Sequence, residues 1–319
     1  MLRRAWQSAM IGLAGNRALK RGVQGSRLGA ALARRYTAGE TAEEAFARVD
    51  SLLAGRATRA SLYALGEYVT DAATVAETVS LLQDVVGRLS ASTLDLHLSV
   101  DPTQIGQMFD PASARRNAFA VAEAVAAAPA ALGRVRAMML DMEDLAFVDP
   151  TIALHDALRD AGLPVALTLQ AYLKRSEADL SRQIARGSHV RLVKGAFVAG
   201  AAASFTRRAE IKANSRRLIA LMFSRQARDA GFYPSIATHD DALQRFAAER
   251  AAANGWPDDA WEIEMLLGVR DKLAAALAAS GRRVRLYLPF GRDWWPYAIR
   301  RIGENPANAT LLARSLISR

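Results

Sequence analysis

Cysteine is absent from this sequence of 319 residues, so disulfide bonds and thiolate nucleophiles are excluded. A reducing compartment is compatible with that absence. No GxGxxG follows a candidate strand and no P-loop is present, which disfavours a dinucleotide-binding open sheet and NTP hydrolysis. No apolar run approaches the ~18 residues that span a bilayer. The four histidines, at positions 97, 155, 189 and 239, match no zinc or iron spacing, so we predict no metal site.

Acidic residues are also absent from the first 39 positions, although the whole chain carries a net charge of +10. This basic start fits a transit peptide, a helix that touches anionic lipid, or a helical cap on the fold. Its apolar residues are interrupted by glycine, which favours the cap, with weak membrane contact second. The basic residues are not interleaved with aromatic ones, so nucleic acid is not an expected partner. We expect a cytoplasmic protein, with peripheral contact to the inner face of the membrane as the remaining alternative.

Two regions are predicted from the pattern of elements. Residues 1–55 form a basic helical segment, with Thr41 as N-cap and Glu44 completing a capping box at the start of a helix. Residues 56–319 alternate short apolar strands with helices, which specifies a parallel sheet. The eight candidate strands are 60–65, 93–100, 135–140, 165–169, 189–193, 233–237, 261–265 and 284–288. Eight repeats predict an α/β fold of the closed (β/α)8 type with extra N-terminal helices, and a doubly wound open sheet is the alternative.

Polar or ionisable residues follow almost every candidate strand. Because the carboxyl ends of barrel strands converge on one mouth, they form the candidate active site. In chain order they are Glu67, Asp101, Asp141 with Glu143, Gln170, Arg191 with Lys194, His239, Glu264 and Tyr287.

The last strand leads into a helix predicted from about residue 294 to 303, with breaks at Pro289 and Gly291 before it. Tyr297, Arg300, Arg301 and Glu304 are spaced to share one face of that helix. Two adjacent guanidinium groups beside a phenol can clamp a small carboxylate. The alternative is a solvated polar stripe.

Lys194 and Gly195 leave the fifth strand, where glycine would let the backbone approach a ligand. Lys194 could form a Schiff base, could join Arg191 in stabilising an anionic or reduced cofactor, or could be a surface lysine. The acidic stretch 141–144 could supply acid/base groups, magnesium ligands or partners for the arginines.

Five motifs resemble the proline dehydrogenase family, and more narrowly its compact monofunctional bacterial members. They are LQAYLKR (169–175), RLVKGAF (191–197), ATHD (237–240), EMLLGVR (264–270) and RLYLPFGRDWWPYAIRRIGENPAN (285–308). The resemblance covers about residues 40 to 310. It implies a (β/α)8 barrel that binds FAD, oxidises L-proline or a close cyclic amino acid to Δ1-pyrroline-5-carboxylate by hydride transfer to flavin N5, and passes electrons to a quinone.

The resemblance also implies roles for matching positions. Arg191 would lie near flavin N5, and Arg300 and Arg301 would grip the substrate carboxylate. Glu67 would pair with one of those arginines as a gate, and Asp141 would lie close to the flavin and substrate. The other expected cofactor residues are Gln170, Lys194, Gly195, Ala196, Asn214, Thr238, His239 and Glu304. The other expected substrate residues are Tyr287, Tyr297, Ala196, Leu267 and Asp101.

Three departures from the family pattern affect these expectations. Asp101 stands where the family has a lysine that helps to hold the substrate carboxylate. Phe197 replaces the usual tyrosine, and residues 212–217, which include Asn214, lack the acidic-plus-tyrosine pattern at the adenosine end of FAD. The alternative is therefore a barrel of this family with an altered substrate or no catalysis, and a Schiff-base lyase using Lys194 ranks below it.

Overall fold

A computed structural model describes residues 26–54, 58–129 and 135–304, without the side chains of residues 27, 28 and 302–304. The strands are β1 (Thr58–Ala64), β2 (Leu96–Val100), β3 (Arg136–Leu140), β4 (Val165–Gln170), β5 (His189–Val193), β6 (Tyr233–Ala237), β7 (Glu262–Leu266) and β8 (Val284–Phe290). The helices are α1 (Arg27–Tyr36), α2 (Ala42–Leu53), α3 (Ala72–Ala91), α4 (Pro111–Ala127), α5 (Val148–Asp160), α6 (Ser176–Ala185), α7 (Arg208–Met222), α8 (Arg225–Asp229), α9 (Asp241–Ala253), α10 (Asp271–Ala279) and α11 (Trp294–Glu304). Short 3-10 turns follow β2 and β3 at Pro102–Ile105 and Leu145–Phe147.

The strands form a closed parallel barrel in chain order, and β8 pairs with β1 along their whole length. The predicted (β/α)8 barrel is confirmed, and the open sheet is excluded. Several predicted bounds shift by up to three residues, and β8 runs through Pro289 to Phe290 rather than breaking there. Proline is tolerated because the last pair between β7 and β8 is Leu266 with Tyr287. Beyond that pair β8 has no neighbour on one side, so no N–H is needed.

The apolar core lies between the strands and the helices, where side chains such as Leu62, Leu98 and Leu288 are buried. Alternate strand residues point into the barrel, and many of these are polar. At the amino-terminal end of the barrel, Arg285 is fully buried. It donates two hydrogen bonds to Glu262 and one to Asp95. Each buried charge in such an interior needs a partner of opposite charge. Because the partners lie on different strands, their pairing helps to fix the register between those strands.

Helices near the two ends of the chain pack against each other outside the barrel. Leu32 and Tyr36 of α1 form a buried cluster with Trp294, Trp295 and Tyr297 of α11. Tyr297 is buried, so the solvated-stripe interpretation of its helix is wrong. The first 25 residues, which carry much of the predicted basic segment, lie outside the described residues.

The predicted capping box of α2 forms only in part. Thr41 Oγ1 accepts the backbone N–H of Glu44, but the Glu44 carboxylate accepts the N–H of Glu40 instead of that of Thr41. Within the described ranges, no helix is both long enough and apolar enough to cross a membrane.

Candidate active site

Arg191 on β5 is the buried cation at the centre of the mouth, with 2% of its surface exposed. Its Nε donates to Glu264 Oε2 at 2.8 Å, and one terminal nitrogen donates to Ser99 Oγ at 2.9 Å and to Asp141 Oδ1 at 2.6 Å. The other terminal nitrogen lies 2.8 Å from Glu264 Oε2 without hydrogen-bond geometry. Burial opposes the charge on Arg191, but Glu264 and Asp141 outweigh it and raise its pKa. The guanidinium is therefore a fixed positive charge held from three sides.

Asp141, at the end of β3, links Arg191 to a pair of tyrosines. It accepts Tyr287 Oη at 2.9 Å and Thr168 Oγ1 at 2.8 Å. The Arg191 guanidinium carbon lies 5.2 Å from the centre of the Tyr287 ring, and the Tyr63 and Tyr287 ring centres are 5.3 Å apart. Burial and then Asp141 raise the pKa of Tyr287 well above its usual range, so it remains a phenol. The two rings supply an apolar wall next to a fixed cation.

Arg300 of α11 reaches back over the mouth to Glu67, which follows β1. Its guanidinium donates to both oxygens of Glu67, one of them at 2.9 Å. Burial opposes the charge of Arg300, but Glu67 outweighs it and raises the Arg300 pKa. Arg301 is half-buried, with its guanidinium carbon 5.2 Å from the Tyr297 ring centre. The sequence-predicted clamp and the sequence-predicted gate therefore lie together.

Asp101, after β2, is a buried carboxyl with 6% of its surface exposed. It accepts Tyr63 Oη at 2.5 Å, while its backbone N–H donates to Gln104 Oε1 at 3.0 Å. Burial, followed by the nearby Glu143, Glu67 and Asp141 carboxyls, raises the Asp101 pKa well above its usual range. Asp101 is therefore in the mouth, as the sequence predicts, but as a group that favours its neutral form.

Glu143 lies behind this cluster. Its two oxygens accept the backbone N–H of Thr103 at 3.0 Å and the Thr103 hydroxyl at 2.5 Å. Burial raises the pKa of Glu143 to about 7, with Glu67 and Asp141 adding to the rise and the Thr103 bonds opposing it.

Sequence reasoning missed Tyr63, Ser99 and Thr103 as members of this cluster. Tyr63 could have been found, because it shares the inward face of β1 with Ser61 and lies near the mouth.

Two predicted cofactor residues, Gln170 and His239, have buried polar atoms without a partner among the described residues. Gln170 Nε2 donates to the carbonyls of Met142 and Glu143 at 2.7 and 3.1 Å, whereas its Oε1 is unpaired. His239 Nε2 accepts the N–H of Leu266 at 3.3 Å, whereas its Nδ1 is unpaired. Burial, then Arg301 and Arg270, lowers the pKa of His239 to about 4, so its ring is neutral. Because Nε2 accepts, the proton is on Nδ1. One acceptor and one donor are thus available to a ligand.

The loop after β5 contains three of the predicted cofactor residues, Lys194, Gly195 and Ala196. Gly195 has a φ of +97°, and a Cβ built on it would overlap the ring of Tyr172. The glycine is required by its conformation and by this ring, and approach of a ligand to its backbone stays a prediction. Lys194 and Ala196 are exposed. A lysine that forms Schiff bases is typically held in a desolvated pocket, which Lys194 is not.

The remaining predicted residues are placed as follows. Leu267 is buried after β7, and Asn214 of α7 is buried with its Nδ2 donating to the carbonyl of Ala171 at 2.8 Å. Thr238 is half-buried, and its hydroxyl accepts the N–H of Asp240 at 3.2 Å. Glu304 ends α11, and its side chain lies outside the described residues.

Two histidines that appear unrelated in sequence come together inside the barrel. The ring centres of His97 and His189 are 5.9 Å apart, a contact that their spacing in the sequence does not indicate. With Glu262 and Glu264 they form a group whose potential ligand atoms lie within 4.8 Å of one another. Both carboxylates, however, are held by buried arginines, Arg285 and Arg191. We therefore assign this group to the polar network inside the barrel, and the absence of a metal site stays a prediction.

Comparison with known proteins identifies the family of this barrel. A family model described as proline dehydrogenase matches residues 47–314. The chain belongs to the proline dehydrogenase family. It is thus an oxidoreductase family member, and the sequence resemblance is confirmed. The proline dehydrogenase of Deinococcus radiodurans is 32% identical over 292 residues, which cover 90% of each chain. Proline dehydrogenase 1 of Bacillus subtilis strain 168 is 29% identical over 299 residues, or 92% of this chain and 93% of its own.

Solved structures with the same fold include longer proteins. Proline utilization A from Bdellovibrio bacteriovorus, inactivated by N-propargylglycine, aligns with a TM-score of 0.77 at 19% identity over 91% of this chain. Proline utilization A from Corynebacterium freiburgense aligns with a TM-score of 0.71 at 20% identity. This chain spans 34% of the length of each of them. At these identities the likeness shows the shared fold.

Proposed function

We propose that this protein is an FAD-dependent proline dehydrogenase that oxidises L-proline to Δ1-pyrroline-5-carboxylate. The observation that carries the proposal is the mouth cluster, in which a clamp for a carboxylate lies next to an apolar wall and a fixed cation. Each of these three features suits one property of the substrate or of the reaction: the clamp suits the carboxylate, the apolar wall suits the ring, and the fixed cation suits the hydride transfer.

The substrate has a carboxylate, an apolar ring and a secondary amine. Arg300 supplies a planar guanidinium that binds a carboxylate through two parallel hydrogen bonds, and Arg301 is adjacent. Tyr63 and Tyr287 present ring faces suited to the apolar carbon atoms. The clamp therefore fixes one end of proline while the rings orient the rest.

The residues present fit a flavin. FAD, when bound, supplies the isoalloxazine ring that accepts hydride from the carbon next to the substrate amine. Gln170 Oε1 and His239 Nδ1–H are an unpaired acceptor and an unpaired donor, which suit the alternating donor and acceptor edge of such a ring. Arg191 holds a positive charge in place, which favours any nearby group that becomes more negative. It has no freedom to swing away, because Glu264, Ser99 and Asp141 fix it.

The substrate amine must be neutral for hydride to leave the neighbouring carbon. Exclusion of water from the mouth lowers an amine pKa, and the charges of Arg191 and Arg300 act in the same direction. Electrons then pass to a quinone-type acceptor, and peripheral contact of the basic amino-terminal segment with the membrane would bring the enzyme to that acceptor.

A visible absorption spectrum of the purified protein tests this proposal. We expect a flavin spectrum that bleaches when proline is added without oxygen, and an Arg300→Ala variant that keeps the flavin but needs at least tenfold more proline. A protein that takes up no FAD, or whose flavin stays oxidised with proline, would overturn it.

Asp101 favours a second candidate, a family barrel with another substrate. If Asp101 were ionised, it would repel a carboxylate and select a ligand with an extra cationic or hydrogen-donating group. Comparing the rate of flavin reduction by proline with that by ring-substituted amines separates the two candidates.

A further inference from the structure

Asp101 differs in its partners from Glu67 and Asp141, two other carboxyls of the mouth. Glu67 is paired with Arg300, and Asp141 is paired with Arg191. Among the residues that the structure describes, Asp101 has no cation within ion-pair distance, and its side chain accepts a hydrogen bond from the phenol of Tyr63. A carboxyl buried without a cation is costly as an anion and stable as a neutral acid.

The hydrogen bond from Tyr63 is compatible with a neutral Asp101. Tyr63 Oη donates to Asp101 Oδ2, and this bond is kept when the acidic hydrogen of Asp101 is on Oδ1. The Gln104 side chain bonds to backbone groups: its Nε2 donates to the carbonyl of Ala64, and its Oε1 accepts the N–H of Asp101. Asp101 is thereby held rigidly by its backbone and by Tyr63, with Oδ1–H as its remaining donor.

The environment of Asp101 contains titratable groups from several elements. Those that interact with it electrostatically are Tyr63, Glu67, Asp141, Glu143, Tyr287 and Arg300. Arg300, which carries the carboxylate clamp, is therefore close to Asp101 although the two are not an ion pair. A carboxylate bound to Arg300 brings an acceptor to the pocket that contains Oδ1–H.

We propose that Asp101 binds the substrate as a neutral carboxylic acid, with Oδ1–H donating a hydrogen bond to the carboxylate held by Arg300. This inference rests on the proposed function for the location of that carboxylate. It makes Asp101 a specificity residue for amino-acid carboxylates, and it makes binding dependent on a proton that the protein itself carries. When the proton is lost, the same group repels the ligand.

Binding of cyclopentanecarboxylate to the FAD-loaded protein tests the inference. This ligand has the ring and the carboxylate but no amine, and its carboxyl stays ionised from about pH 6 upward. We expect the dissociation constant, measured by titration calorimetry, to increase by up to tenfold per pH unit above the Asp101 pKa. The Asp101→Asn variant keeps a donor and cannot ionise, so its affinity should be within about threefold of the unmodified protein at low pH and independent of pH.

Three further variants separate this explanation from others. Asp101→Ala should bind about tenfold more weakly at low pH, because the donor is lost. Tyr63→Phe removes a bond that favours the Asp101 anion, so the loss of affinity should move to higher pH. Glu143→Gln should keep the pH dependence, which matters because Glu143 has a pKa of about 7. Asp84→Asn, on the exposed face of α3, is the matched surface control.

The inference is overturned if Asp101→Asn keeps the pH dependence, if Glu143→Gln abolishes it, or if Asp101→Ala binds as tightly as the unmodified protein. It is also overturned if Asp101→Asn binds more than tenfold tighter at every pH, since Asp101 would then be an anion. Failure of the proposed function is a separate result, because it appears as flavin that proline does not reduce while carboxylate binding is measured independently.

Discussion

Arg300 and Glu67 face each other across the mouth of the barrel, although 233 residues separate them in the chain. Two hydrogen bonds join the guanidinium to the carboxylate, in the geometry that a substrate carboxylate would adopt on the same arginine. If Arg300 binds the substrate carboxylate as proposed, Glu67 competes for the same guanidinium and must leave before the substrate binds there.

Replacement of Glu67 by Gln should strengthen the binding of carboxylate ligands. The pair is partly exposed, so its removal relieves competition worth about 1 kcal/mol, or roughly fivefold in the dissociation constant of cyclopentanecarboxylate. Calorimetry on the FAD-loaded protein measures this change. Weaker binding in Glu67→Gln would mean that Glu67 positions Arg300 and does not compete for it.

Replacement of Arg191 by Lys should damage both stability and rate. A lysine retains the charge but cannot bond Glu264, Ser99 and Asp141 together, because it lacks the planar fork. We expect a loss of about 3 kcal/mol in unfolding free energy, since Glu264 loses its buried partner. The rate of flavin reduction by proline, measured by stopped flow, should fall by about a hundredfold. The exposed Arg116→Lys change on α4 is the control, and equal effects in both variants would contradict this role.

Replacement of Arg285 should lower the stability of the protein without changing its activity. Arg285 is fully buried at the amino-terminal end of the barrel, away from the mouth, and it neutralises Glu262 and Asp95. Arg285→Met should cost about 3–5 kcal/mol of unfolding free energy because it leaves the buried Glu262 without a cation, although Asp95 keeps its pair with Arg59. The folded fraction should reduce its flavin with proline at an unchanged rate. Arg282→Met, which breaks an exposed pair with Asp258, should cost less than about 1 kcal/mol.

Glu143 should make stability fall as pH rises. Its pKa in the folded protein is about 7, above the ordinary 4.5, so the folded state holds a proton that the unfolded state has lost. The contribution to stability is complete below about pH 4.5 and declines by up to ~1.4 kcal/mol per pH unit until the pH exceeds the folded pKa. Urea unfolding across this range should show a shallower decline in Glu143→Gln. An identical pH profile for the two proteins would refute the assignment.

The loop after β5 offers a test with an internal control. Gly195→Ala places a methyl group at a φ of +97° and against the Tyr172 ring, so it should cost about 1–3 kcal/mol. Gly200→Ala lies in the same loop, where a Cβ meets no atom within 4 Å, and it should change stability by less than about 0.5 kcal/mol. Differential scanning calorimetry of both variants distinguishes a strained glycine from a merely flexible loop.

Much of the fold could be predicted from the alternation of strands and helices, because each strand must bury an apolar face against a helix. The residues at which strands end could not be predicted, because a strand continues only as far as a neighbouring strand pairs with it. Pro289 is the clearest case: its meaning as a break or as a tolerated edge residue depends on where β7 ends. The rule that proline interrupts a strand applies where the strand has a neighbour on both sides, whereas β8 at Pro289 is paired only with β1.

Members of the candidate site could be predicted when they lie near the carboxyl end of a strand or in the loop after it, as Asp141, Arg191 and Glu67 do. Tyr63 and Ser99 lie within strands, where an inward-facing polar side chain resembles an ordinary core position until the opposite strand is known. The meeting of His97 with His189 has the same origin. Side chains within the barrel meet across its interior and not along the chain, so their spacing in sequence carries no information about the contact.

The pairing of β8 with β1 has a consequence for synthesis of the protein. The edge of β1 is made early, but its partner, which runs to Phe290, is among the last described segments to leave the ribosome. Throughout translation the growing chain therefore presents an unpaired strand edge and cannot assemble Arg300 with Glu67. An unpaired edge of this kind promotes aggregation until β8 is made, and we expect a chain that terminates before β8 to be inactive.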